Sequence, residues 1–159
     1  MNRDNDLHEM DGAYSAGTRD GELRLLIPPT ASYIAMARLF AAAAARQHGC
    51  SEEVIEDLKI AISETVTNAV KAHERTGETD LITITVHRQG STLTFDVVDR
   101  GDGFDLEPGE PQTMKSAALH HGSLGLALVR TMFPETHVRR NADRGMTVGF
   151  SITLDAAPA

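Results

Sequence analysis

Glu64 and Asn68 stand four residues apart in Ser63-Glu64-Thr65-Val66-Thr67-Asn68-Ala69. On a helix that spacing sets a carboxylate and a carboxamide on one face, one turn apart. Two such oxygen donors suit a hydrated hard cation such as Mg²⁺, and the carboxylate is also placed to polarise a water or a hydroxyl. Thr67, beside Asn68, offers a hydroxyl to a phosphate or a ligand-bound water. Further on, Asp99-Arg100-Gly101-Asp102-Gly103-Phe104 puts a carboxylate acceptor at a strand end, where it could meet an exocyclic amine such as that of adenine. Gly101 and Gly103 remove side chains where a flat base would pack on backbone, and they tolerate positive φ. Gly122-Ser123-Leu124-Gly125-Leu126 then opens a helix, and helix N-termini present free N–H groups and partial positive charge to phosphate. Each block alone also has a plain structural use: a solvated helix face, a glycine turn, a loop-to-helix junction. In this order they describe a nucleotide pocket that holds Mg²⁺.

Rival motifs fail on particular residues. A calcium loop would need oxygen donors where Gly101 and Gly103 stand. A dinucleotide fingerprint would need a third glycine where Leu106 stands, and a helix where Pro108-Gly109 follows. Gly109 to Ser116 imitates a phosphate-binding P-loop, but Met114 occupies the second glycine position. Lys115 is kept as a loop cation that could reach a phosphate. His120-His121 has no companion His or Cys at metal-ligand spacing and reads as a polar pair.

The elements that must position these blocks follow from periodicity. Residues 1–21 are polar, with no apolar run of signal-peptide type, and are expected to be a disordered tail. Glu22 to Ile27 reads as a strand stopped by Pro28-Pro29. Thr30 or Ser32 caps a helix with apolar Tyr33, Ile34, Ala37, Phe40, Ala41 and Ala44. Ser51 begins a second helix, with Glu52 and Glu53 in its first turn, that runs to about His73 or Arg75 before Gly77. Residues 81–88 and 92–99 alternate as a hairpin about Gln89-Gly90-Ser91. Residues 100–121 form a long irregular stretch of the kind that is often functional. A short helix over 124–133 and two strands, 136–141 and 146–154, complete the chain, with residues 156–159 as a C-terminal tail. The order β-α-α-β-β-loop-α-β-β predicts one domain over 22–155. The predicted fold is an α+β two-layer sandwich, its mixed, mostly antiparallel sheet carrying helices on one face.

Composition bounds the partners. The 159 residues carry a formal charge of −8, which argues against duplex nucleic acid as the main ligand. With no Trp and few aromatics the core is expected to be aliphatic. Cys50 is the only cysteine, so no intrachain disulfide can form. No stretch reaches the roughly 20 apolar residues of a membrane span, and the chain is expected to be soluble and cytoplasmic.

These blocks resemble the GHKL ATPase superfamily, the Bergerat fold. Glu64-xxx-Asn68-Ala69 is similar to its N box, Asp99-x-Gly101-x-Gly103-Phe104 to its G1 box and Leu124-Gly125-Leu126 to the core of its G2 box. Residues 63–70 are especially like the small anti-sigma factor serine kinases of the RsbW and SpoIIAB type. The resemblance implies binding of ATP or ADP with Mg²⁺, Asn68 as the metal ligand and Glu64 as general base on the attacking hydroxyl. It implies that Asp99 bonds the adenine amine, that Gly101 and Gly103 line the base pocket, and that residues 105–121 form an ATP lid. The helix start at Gly122, Ser123, Leu124 and Gly125 would meet the phosphates. It further implies a homodimer that sequesters a sigma factor and phosphorylates a serine of a STAS-domain anti-anti-sigma protein, with Arg38 on the first helix contacting both partners. The alternative is a regulatory binding module in which nucleotide is structural or absent. The chain departs from the family pattern at Ala72, where a His is usual and His73 lies one place on. It departs again at Ser123, the usual first glycine of the G2 box, and at His121, where a lid Arg is common.

Overall fold

Pro28 and Pro29 end the first strand, and a single 3-10 turn, Ala31–Tyr33, redirects the chain into helix α1 (Ile34–Gln47). Thr30 extends ahead of that turn without a side-chain cap; its hydroxyl lies 3.1 Å from that of Ser32. Ser51 does cap α2 (Glu52–Thr76), its Oγ accepting from the Val54 N–H at 3.4 Å. Gly77 closes α2 in the left-handed region at φ 68°. The computed structural model describes residues 21–103 and 123–155. Its remaining elements are β1 (Leu23–Ile27), β2 (Ile82–Gln89), β3 (Thr92–Val98), α3 (Ser123–Met132), β4 (His137–Arg140) and β5 (Met146–Thr153).

The sheet order is β1-β2-β3-β5-β4, and every neighbouring pair is antiparallel. The mixed sheet expected from the sequence therefore has no parallel pair among the described residues. With two helices between β1 and β2 the chain reverses three times, so β2 returns antiparallel, where a single crossover helix, with two reversals, would make it parallel. One helix separates β3 from β4, which do run the same way, but β5 lies between them.

Alternation along β2 buries Ile82, Ile84 and Val86, and along β3 it buries Leu93, Phe95 and Val97. Against that face pack Ala37, Ala41 and Ala45 of α1, with Ile55, Leu58, Ile62 and Val66 of α2. The small alanines let α1 approach α2 closely. The core is aliphatic except at its centre. There Phe95 stacks on Phe150 at 6.0 Å and Phe133 tilts against Phe150 at 5.1 Å. Burial contributes about 1.5–3 kcal/mol for each ring fully removed from water.

Candidate nucleotide-binding site

The C-terminal half of α2, the end of β3, the start of β5 and α3 enclose a cleft with about 570 Å³ of space, open solvent at its mouth included. Ala69, Ala72, Val97, Leu126, Met146 and Val148 give it apolar walls suited to a flat ring. Asn68 and Asp99 both line it.

Asp99 is 7% exposed. Its Oδ1 accepts from the Gly101 N–H at 2.9 Å and the Met146 N–H at 3.3 Å. Its Oδ2 takes no hydrogen bond among the described residues, so one acceptor remains for whatever enters the cleft. Burial raises the carboxyl above its usual range, while the two backbone donors hold it down. The backbone around it is tightly laced. The Asp99 N–H donates to the Met146 carbonyl at 2.9 Å, and Asn141 Nδ2 donates to the Asp99 carbonyl at 3.1 Å. Gly145, at φ 82°, packs so closely on Asp99 and Arg100 that any side chain there would collide with their backbone.

The two glycines after Asp99 serve different ends. Gly103, at φ 68°, lines the cleft against Met146. Gly101 is not among the lining residues, contrary to expectation. It is pressed onto α2, where a Cβ would sit 2.5 Å from that of Ala72. The side chain at 72 is small at this contact, and it is Ala72 that stands there. His73 is buried at 1% exposure, and its Nε2 accepts the Arg100 N–H at 2.9 Å. The ring proton of the neutral form therefore lies on Nδ1. Nδ1 is buried without a partner among the described residues, at a cost of about 1–3 kcal/mol.

Gly125 brings the third block to the first. A Cβ on it would stand 2.6 Å from Glu64 Oε2 and 3.4 Å from Asn68 Nδ2. Glu64 lies beside the cleft and lines a second, open groove between α1 and α2, together with Arg38, Leu39, Glu56, Lys59 and Ile60. Thr67 lines neither surface; Thr65 lines the cleft instead, with its hydroxyl donated to the Ala61 carbonyl at 2.8 Å. Adjacent helical residues point about 100° apart, so Thr67 rotates off the stripe that carries Asn68. Lys115, Gly122, the expected lid at 105–121 and His120-His121 lie outside the described residues. Ser123 and Leu124 are described only as backbone of the first turn of α3.

Sequence reasoning missed Lys71 and Arg75, which line the cleft. They sit three and seven residues past Asn68, the spacing of one helix face, and that was the available signal. Arg75 forks onto Asp102 at 2.8 and 3.1 Å, and this bond holds the Asp102 carboxyl below its usual range. Two further ion pairs lie nearby in sequence, the exposed Arg100–Asp143 at 2.6 Å and Arg144–Glu78 at 2.8 Å, in which Glu78 is largely covered.

The residues fit a nucleotide with its metal. The cleft pairs apolar walls with a single buried carboxylate for the base, and Gly125 packs so closely on one carboxylate and one carboxamide that a Cβ there would collide with Glu64. Asn68 and Glu64 would offer oxygen donors to a hard cation there.

Comparison with known proteins shows the family. The family model for the histidine kinase-like ATPase domain matches residues 27–152. Serine-protein kinase RsbW of Listeria innocua serovar 6a is 36% identical over 138 residues, covering 82% of this chain and 86% of that protein. Serine-protein kinase RsbW of Bacillus licheniformis is 34% identical over 138 residues, covering 80% of this chain and 83% of that protein. Among solved structures, the RsbU and RsbW domains of Rv1364c from Mycobacterium tuberculosis superpose with a TM-score of 0.62. There 22% identity extends over 84% of this chain and 32% of that one, a likeness of fold. The chain belongs to the histidine kinase-like ATPase domain family and, within it, to the RsbW serine-protein kinases.

Proposed function

We propose that the domain over 22–155 binds ATP with Mg²⁺ in the cleft, transfers the γ-phosphoryl group to a serine of a STAS-domain anti-anti-sigma protein, and sequesters a sigma factor while that antagonist is phosphorylated. The observation that carries this reading is the position of Glu64. It stands at the border between the nucleotide cleft and the α1–α2 groove, touched by the Gly125 backbone from one side and grouped with Arg38 and Leu39 on the other. A partner serine lying in the groove would bring its hydroxyl to that carboxylate. Glu64 takes the serine proton as the oxygen attacks the γ-phosphorus, and the bond to the bridging oxygen breaks to leave ADP. Asp99 Oδ2 accepts from the adenine amine and fixes the base. Asn68 would hold Mg²⁺, and the ion would supply charge neutralisation at the phosphates. Positioning and charge compensation supply most of the rate enhancement in this chemistry.

Leu39 is 70% exposed and Met36 and Ile60 about half exposed, an apolar strip that a protein partner would cover. Arg38 lies on its edge and contacts both partners in turn. The protein acts as a homodimer in the cytoplasm; no helix among the described residues is long and apolar enough to cross a membrane. The test is incubation with labelled ATP, Mg²⁺ and the STAS partner. Label on a partner serine that disappears with Glu64→Ala supports the kinase. Nucleotide binding with no label in the wild type would leave a regulatory binding module.

A further inference from the structure

We propose that His73 is a positioning residue for nucleotide recognition: its Nε2 docks the Asp99–Gly101 turn on α2, and so sets the base-reading carboxylate at a fixed distance from Asn68. The inference rests on the reading that Asp99 recognises the base.

Most restraints on Asp99 come from its own turn or from the β4–β5 hairpin. Oδ1 is held by the Gly101 and Met146 N–H groups, and its carbonyl by Asn141. None of them relates the turn to α2, the helix that carries Glu64 and Asn68. Two side-chain ties do so among the described residues. Arg75–Asp102 is exposed, with about two-fifths of each side chain in water, so solvent competes for it. His73 to Arg100 is the covered tie, at 2.9 Å from a ring that is 1% exposed. The main chain of His73 is also pinned, its carbonyl accepting from the Glu78 N–H at 3.0 Å and the Thr76 hydroxyl at 3.3 Å. A ring held at both ends defines where Arg100, and with it Asp99, can sit. Its Nδ1 stays buried and unpartnered among the described residues, so the position is not explained by satisfying the ring itself.

Two polar replacements separate reach from polarity. Gln places an amide oxygen about where Nε2 lies, whereas Asn stops near Nδ1 and cannot reach Arg100. Binding of MgATP and of MgITP, which has a carbonyl in place of the adenine amine, reads the base contact directly. His73→Asn should weaken MgATP about tenfold and MgITP little, and His73→Gln should stay within about threefold of wild type for both, as expected for one hydrogen bond. Equal behaviour of the Asn and Gln variants would overturn the proposal. Asp99→Asn is the control. If it leaves the ATP-to-ITP ratio unchanged, the base reading itself fails. If it collapses that ratio while His73→Asn preserves it, only the role of His73 fails. Should either His73 variant not fold, imidazole ¹⁵N shifts of the wild type decide: an unprotonated Nε2 with a slowly exchanging Arg100 amide supports the docking, and a proton on Nε2 refutes it.

Discussion

Replacing Gly101 with Ala is the sharpest perturbation of the way the base-reading turn seats on α2. The added Cβ would lie 2.5 Å from Ala72 Cβ, 2.7 Å from the Ala72 carbonyl carbon and 2.9 Å from its oxygen. Carbon atoms at rest need about 3.5–4.0 Å, so turn and helix must part by about 1 Å. Neither neighbour can swing aside, because all three atoms are backbone or Cβ of an α2 residue. Parting them stretches the Arg100 N–H to His73 Nε2 bond, 2.9 Å long, which ties the turn to the helix. Overpacking costs about 1–3 kcal/mol and the lost hydrogen bond about 0.5–1.5, so the expected loss is about 1.5–4.5 kcal/mol. Urea denaturation measures it. Gly90→Ala is the reference, since Gly90 has φ 60° and no atom within 4 Å of its virtual Cβ. It should cost only the left-handed strain, about 1–2 kcal/mol. Adding Ala72→Gly to Gly101→Ala removes the Cβ contact and leaves the two backbone contacts, so the double variant should remain destabilised. A Gly101→Ala protein within about 0.5 kcal/mol of wild type, with unaltered MgATP affinity, would refute the close packing of turn on helix.

Three other variants probe separate parts of the account. In Asp99→Asn the Gly101 and Met146 N–H donors demand oxygen at the Oδ1 position, which turns the amide NH₂ toward the adenine amine. Donor then faces donor, and titration calorimetry should show MgATP binding ten- to a hundredfold weaker, about 1.5–3 kcal/mol. The same variant should be more stable than wild type at pH 7. Burial raises the folded-state pKa of Asp99, so its contribution is most favourable below the unfolded carboxylate pKa and falls as pH rises through the folded value. The melting-temperature advantage of Asp99→Asn should therefore shrink on acidification toward about pH 4; an advantage that grows instead would contradict the buried charge. Gly149→Ala would push a methyl into the Asp96–His137 pair that straddles it on the helix-free face of the sheet. A loss of about 1–3 kcal/mol in denaturation with MgATP affinity unchanged is expected, and weakened binding would show that this face reports to the cleft. Leu39→Glu should leave stability within about 0.5 kcal/mol and nucleotide binding intact, while phosphoryl transfer to the STAS partner falls in the labelling assay.

Much of the fold was legible because it is written in local periods. The alternation in β2, the alanine stripe of α1, the Ser51 cap and the Gly77 stop each depend on neighbours in sequence, and the structure realises them within a residue or two. The blocks around Asn68, Asp99 and Gly125 were legible by type and order, and the structure brings them side by side. What the chain hid was rotational and tertiary. Thr67 stands next to Asn68 in sequence but off its helical stripe, whereas Thr65, three residues before Asn68, shares the stripe and lines the cleft. Gly101 and Gly103 look alike until one meets Ala72 and the other Met146. Ala72 and His73 read as a motif slipped by one place. In the structure they are one arrangement, a small residue under Gly101 and a ring nitrogen under Arg100.

The central claim is that Glu64, Asn68 and Asp99 gather about one nucleotide and its metal. A crystal structure of the protein with Mg²⁺ and a non-hydrolysable ATP analogue tests it most directly. The account predicts the adenine amine on Asp99 Oδ2, the metal on the Asn68 amide oxygen and the γ-phosphate facing Glu64. An analogue seated in the cleft with its base turned away from Asp99, or its metal held without Asn68, would contradict it.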